Sequence, residues 1–131
     1  MTTPSNTTNV YWLDASREVG NYPCHSIRGG KWLIFTPISL IDQDWETIKV
    51  ATNKGELGFS TKVSTRRLNP HSRDPNTGVI CVYTYDSEDV EDVMTIRESL
   101  RNLGFTRRLT YKSDQATREG KYGRRVTNYV K

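Results

Sequence analysis

Five side chains able to carry positive charge, Lys62, Arg66, Arg67, His71 and Arg73, fall within 59-FSTKVSTRRLNPHSR-73 with no acid among them. They alternate with serine and threonine hydroxyls. Phosphate recognition uses this kind of set: lysine as a point charge, arginine as a planar fork that binds two oxygens, and hydroxyls as neutral donors. A second group, 111-YKSDQATREGKYGRR-125, interleaves Tyr111 and Tyr122 with Lys112, Arg118, Lys121, Arg124 and Arg125. Tyrosine can donate to a phosphate or stack on a base. A solvated charged surface is the ordinary alternative for either run, and Lys62 among hydroxyls fits that reading too. The neighbouring tyrosine, serine and threonine donors favour a bound anion.

Charge distribution points the same way. Residues 62–85 carry four bases and one acid, and residues 105–131 carry eight bases and two acids. Between them, residues 86–104 carry six acids and two bases. A fold that brings the two basic segments together makes a positive face.

Other chemistries are poorly served. The sequence has no glycine-rich phosphate loop, nucleophile elbow or HExxH, and Gly29-Gly30 reads as a turn. Two cysteines and two histidines, widely spaced, give no zinc pattern, so neither a metal nor another cofactor is expected. Cys24-His25 reads as incidental. Cys81, inside the apolar run GVICVYTY, reads as a buried free thiol.

The elements that must position these residues follow from periodicity. The 131 residues suit one domain, taken as 10–131, after a frayed tail over residues 1–9. The tail lacks the features of a signal peptide, and no apolar run approaches the roughly 20 residues of a membrane span. A cytoplasmic setting is expected. The stretch 10-VYWLDASREVG-20 passes from aromatic and apolar residues to an Asp/Ser turn signal. KWLIFTP predicts a buried strand ended by Pro37, and 40–55 predicts a helix with Ile41, Trp45, Ile48 and Ala51 or Thr52 inward. ELGFSTKVST predicts a strand with Phe59, Thr61 and Val63 on one face and Ser60, Lys62 and Ser64 on the other. GVICVYTY predicts a strand with Val79, Cys81, Tyr83 and Tyr85 on one face. Residues 87–103 predict a helix capped by Asp86 or Ser87, whose leading acids complement its dipole and account for the acidic segment. Short strands are expected at RRLTYK and VTNYV. Two helices against four or more strands imply an α+β fold: a curved, mainly antiparallel sheet with both helices packed on one face.

The combination GKWLIF, DxxW, GELGFSTKVST, VICVYTYDSEDVEDV, LRNLGF and YKSDQATREGKY resembles the basophilic-leukaemia-expressed protein family, over roughly residues 10–125. That family's fold is like that of the cap-binding translation initiation factors. Cap binding sandwiches a methylated base between two aromatics, so Trp12, Trp32 and Trp45 are of interest, with Trp45 expected in the core. More distantly, the order of elements looks like that of the bacterial phosphothreonine lyases, which use a lysine base and a histidine acid. By that resemblance Lys62 falls at the base, and Lys31 at the lysine of a Lys-x-His motif whose histidine is replaced by Leu33. Neither His25 nor His71 is placed by sequence to supply the missing acid, whose loss costs about 10²–10⁴-fold in rate.

Together these readings lead to a binding domain for a phosphorylated ligand, a nucleotide or RNA end. Its ligand-binding residues are expected to be Lys31, Lys62, Arg66, Arg67, Tyr83, Lys112, Tyr122, Arg124 and Arg125. The alternatives are a phosphate-eliminating lyase with Lys62 as catalytic base, and a basic module that docks an acidic protein.

Overall fold

The computed structural model of the chain describes residues 2–67, 74–115 and 129–131. A single 3-10 turn at Pro4–Asn6 comes first, followed by strands β1 (Trp12–Ser16) and β2 (Gly30–Pro37). Helix α1 (Ile38–Asn53), strands β3 (Ser60–Ser64) and β4 (Thr77–Thr84), helix α2 (Val90–Asn102) and strands β5 (Thr110–Ser113) and β6 (Tyr129–Val130) complete the order. The fold is α+β, as its pattern of strands and helices predicts. The strands form one sheet in the order β1-β3-β4-β2-β5-β6, with every neighbouring pair antiparallel.

The connectivity interleaves two split βαβ units. β2 and β3, joined through α1, flank β4; β4 and β5, joined through α2, flank β2. Each unit therefore fills the gap in the other, and β2 and β4 become the two central strands.

Alternation decides which side of the sheet the helices cover. Trp32, Ile34 and Thr36 on β2 are buried, as are Ile80, Val82 and Thr84 on β4 and Thr61 and Val63 on β3. These pack with Ile41, Trp45, Ile48 and Ala51 of α1 and with Val93, Ile96 and Leu100 of α2 in one core. The indole N–H of Trp32 donates to the carbonyl of Val93 at 3.0 Å, and Thr36 donates to Asp44 of α1 at 3.1 Å, so both helices lie on the same face. The spacing of Ile41, Trp45, Ile48, Ala51 and Thr52 is that of one helical stripe, and all five are buried as expected.

The helix ends differ from expectation in one detail. α2 is capped by Asp89, whose side chain accepts from the Asp92 N–H, rather than by Asp86 or Ser87. Asp86 is taken by Arg28, which donates to it at 2.8 Å. Gly104, with φ of +106°, stops α2 in the left-handed conformation that side chains disfavour. α1 has no side-chain cap; the carbonyl of Asn76 accepts its Ile38 N–H at 2.9 Å.

Three further expectations need correction. Asp14 and Ser16 read as a turn signal but belong to β1, where pairing with β3 outweighs their low strand propensity. Residues 2–9 do not fray: Pro4 and Thr7 are buried, and the Ser5 N–H donates to Asp42 of α1 at 2.9 Å. Phe59 lies just before β3 and is exposed rather than on the face of Thr61 and Val63. Among the described residues, no helix is long and apolar enough to cross a membrane.

Candidate anion-binding face

Because Trp32, Val82 and Tyr111 point toward the helices, their neighbours Lys31, Tyr83 and Lys112 point the other way. Registration places them in one row: Lys31 is opposite Tyr83 on β4 and opposite Lys112 on β5. In the next row, Lys62 is opposite Cys81 on β4 and Asp14 on β1, while Leu33 is opposite Cys81 and Thr110. Lys31, Lys62, Tyr83 and Lys112 thus share the face that α1 and α2 leave uncovered. They come from four strands and from segments up to 81 residues apart in sequence.

Their contacts are close. The Lys31 ammonium lies 5.9 Å from the centre of the Tyr83 ring, and the Lys62 ammonium 5.8 Å from it. Lys62 also lies 4.0 Å from the centre of the Trp12 ring, held by cation–π attraction. Lys112 is only 8% exposed. Burial lowers the proton affinity of its amine, and the charge of Lys31 lowers it further. Burial also raises the Tyr83 phenol well above its ordinary range, with Cys81 and Asp114 adding to the effect, so its O–H remains a donor at neutral pH. Cys81 is buried as predicted, and its thiol is pushed up to about 11 by burial, with Lys62 and Lys31 opposing.

Two residues outside the predicted set, His25 and Asp114, complete this face. The His25 ring stands edge-on to Tyr83 with centroids 6.0 Å apart, and its Nε2–H donates to Asp114 Oδ2 at 2.5 Å. The other oxygen of Asp114 accepts from Lys31 at 3.3 Å. Asp114 is fixed by its own N–H, which donates to the Gly29 carbonyl at 2.8 Å. Gly29 is needed for this geometry: a Cβ there would lie 2.1 Å from His25 Nε2. The paired glycines read as a turn were the one sequence signal available, since a glycine can mark close approach as well as reversal.

Two of the remaining predicted residues, Arg66 and Arg67, are described and lie apart from this group. Arg66 and Arg67 lie beyond the C-terminal end of β3, in a bend after its last residue, Ser64. There the Arg66 N–H donates to Pro4 and Thr7 carbonyls, while Arg67 stacks on Tyr11 at 4.4 Å and donates to the Asn9 carbonyl. The Arg67 side chain braces the N-terminal segment, and Arg66 contributes its backbone there. Tyr122, Arg124 and Arg125, together with Arg118, Lys121, His71 and Arg73, lie outside the described residues. Leu33 faces this side of the sheet and is buried. No two tryptophans oppose each other across it, because Trp32 and Trp45 are buried in the helix-side core and Trp12 alone stands on the open face.

The model of a family described as Basophilic leukemia-expressed protein Bles03 matches residues 23–118. That span holds His25, Lys31, Lys62, Tyr83, Lys112 and Asp114, and its extent over most of the chain bears out the resemblance seen in the sequence. The chain belongs to the Basophilic leukemia-expressed protein Bles03 family.

Proposed function

We propose that the open face binds the phosphate of a phosphorylated ligand, a nucleotide or RNA end, with Lys31, Lys62, Lys112 and Tyr83 as donors. The observation that carries this reading is the pairing of Lys62 and Tyr83. Neither the ammonium nor the phenol O–H meets a hydrogen-bond acceptor among the described residues, although both are half-buried on the same side of the sheet. Both donors still reach water, which a ligand's acceptor oxygens can replace. A phosphate supplies several acceptor oxygens and the opposite charge. The proposed setting is the cytoplasm, where free thiols such as Cys24 and Cys81 stay reduced.

The test is binding of mononucleotides and 5′-phosphorylated oligonucleotides by calorimetry across a salt series. Lys62→Ala combined with Tyr83→Phe should weaken binding at least tenfold and flatten its salt dependence. Unchanged affinity in the double variant would refute this reading.

A second reading is favoured by His25. A lyase would need a base to remove the proton α to a carbonyl and an acid to protonate the departing phosphate oxygen. The C–O bond breaks as a C=C bond forms. Lys62 and His25 stand on either side of Tyr83, and Asp114 orients the imidazole as a catalytic acid requires. Incubation with phosphothreonine peptides, read by mass spectrometry, decides it: an active lyase removes whole phosphoric acid, and His25→Ala abolishes that product. Intact peptide after long incubation rules the reading out.

A further inference from the structure

β1 is an edge strand, paired with β3 and with no other strand. The hydrogen bonds that flank it fix which way its backbone points. The Thr65 N–H donates to the Tyr11 carbonyl at 3.1 Å, and the Arg17 N–H donates to the Phe59 carbonyl at 2.8 Å, so Tyr11 and Arg17 bond inward. Antiparallel pairing bonds every second residue, which turns Leu13 and Ala15 inward as well. The N–H and C=O groups of Trp12, Asp14 and Ser16 therefore point out of the sheet's edge. None of them meets a partner among the described residues, and Asp14 and Ser16 are exposed. Sheet edges are commonly closed to other strands by lysine, proline or a bulge. The strand WLDAS has none of these, and its register with β3 is unbroken.

An edge with a donor and an acceptor at every second residue can pair with a copy of itself about a two-fold axis. Charge favours one register. Setting Asp14 opposite Asp14 brings two carboxylates together, which destabilises the pair. Setting each Trp12 opposite the other copy's Asp14 removes that clash. It also places each carboxylate across from a ring whose face carries the Lys62 ammonium, 4.0 Å from its centre. Asp14 is available for this, since it makes no ion pair among the described residues of its own chain. We propose that β1 is a self-association edge. A second copy of the chain adds its own β1 antiparallel, with Trp12 opposite Asp14 in both directions, and the two six-stranded sheets become one. Residues directly opposite share a face, so both open faces lie on the same side of the joined sheet. The proposal does not rest on the phosphate-binding reading, because Lys31, Tyr83 and Lys112 stand on strands that do not reach this edge.

Analytical ultracentrifugation of the native chain, from micromolar to millimolar concentration, reads the association, and amide hydrogen exchange reads the edge. A monomer–dimer equilibrium is expected. The Trp12 and Asp14 amides should exchange more slowly as dimer forms, while Leu13 and Ala15, bonded to β3, stay protected throughout. Asp14→Pro removes an N–H that points outward and leaves the bonds to β3 in place. It should raise the dimer dissociation constant at least about tenfold in a chain that still folds. Asp14→Asn disturbs the backbone less and should raise the constant about threefold, as should added salt on the native chain. Were Asp14 opposite Asp14, the same Asp14→Asn change would tighten the dimer instead. A chain that stays monomeric at millimolar concentration, assembly that continues beyond the dimer, a dimer that Asp14→Pro leaves unchanged, or one that Asp14→Asn tightens overturns the proposal. Each of these outcomes leaves the phosphate site standing.

Discussion

The ammonium of Lys62 rests 4.0 Å from the centre of the Trp12 ring and makes no ion pair with Asp14, although Asp14 stands directly across from it on the neighbouring strand. The lysine is held by an aromatic face that a phosphate can outcompete. Ligand binding should therefore change the environment of Trp12. Trp32 and Trp45 lie in the core and should not respond directly, so the expected signal is a shift in tryptophan emission on adding phosphorylated ligand. It should disappear in Trp12→Phe, while Lys62→Ala should remove both the shift and most of the binding. A shift that persists in Trp12→Phe contradicts this account.

Arg97 presents a stability test. Its side chain is fully buried on α2 and forms no ion pair among the described residues; it donates to the carbonyls of Phe105, Arg107 and Lys131. Burial lowers the proton affinity of the guanidinium, as does Arg101 nearby. Arg97→Met relieves the cost of burying a charge but takes a donor from three carbonyls, of which that of Lys131 keeps the Leu109 N–H. A net loss of about 2–4 kcal/mol is expected in urea unfolding. Arg97→Lys should recover only part of it, since an ammonium cannot reproduce the planar fork.

Gly29→Ala tests how the His25–Asp114 pair is built. The added methyl carbon would collide with the imidazole, and the ring is the softer partner because it is exposed. The ring should move off Asp114 with little change in overall stability. Imidazole proton signals in NMR report this. An unaltered His25 spectrum would show that the backbone yields instead.

Acid should weaken the joint between the loop after β1 and the start of α2. The guanidinium of Arg28 and the N–H of Glu88 hold the Asp86 carboxyl below its ordinary range. A folded-state value below the unfolded one contributes stability above the usual carboxylate range, and this is lost as pH falls through the folded value. Asp86→Asn should lower the urea midpoint at neutral pH and make little difference near about pH 2, below the usual carboxylate range. Equal losses at both pH values would show that the contribution is not ionic.

Much of the fold was legible because local patterns carried it. The alternation in GVICVYTY separates Ile80, Val82 and Thr84 from Cys81 and Tyr83 before any partner strand is known, and the stripe from Ile41 to Thr52 is complete in the sequence. The candidate site was legible only in part. Lys31, Lys62, Tyr83 and Lys112 could be assigned to strand faces, but Arg66 and Arg67 share the basic run of Lys62 and still end up against the N-terminal segment. Charge composition does not record which end of a strand a residue occupies.

By itself the sequence determined where both helices and every strand but β1 form, and which residues of β3 and β4 share a face, because side-chain alternation and helical spacing are properties of a few adjacent residues. Only the tertiary structure decided that β4 enters between β2 and β3, and that β2 enters between β4 and β5. That exchange of places sets Lys31 between Tyr83 and Lys112 and brings Lys62 within reach. It also lays His25 over Gly29 beside Asp114. Strand order depends on contacts between distant segments, whose combined burial no local pattern encodes.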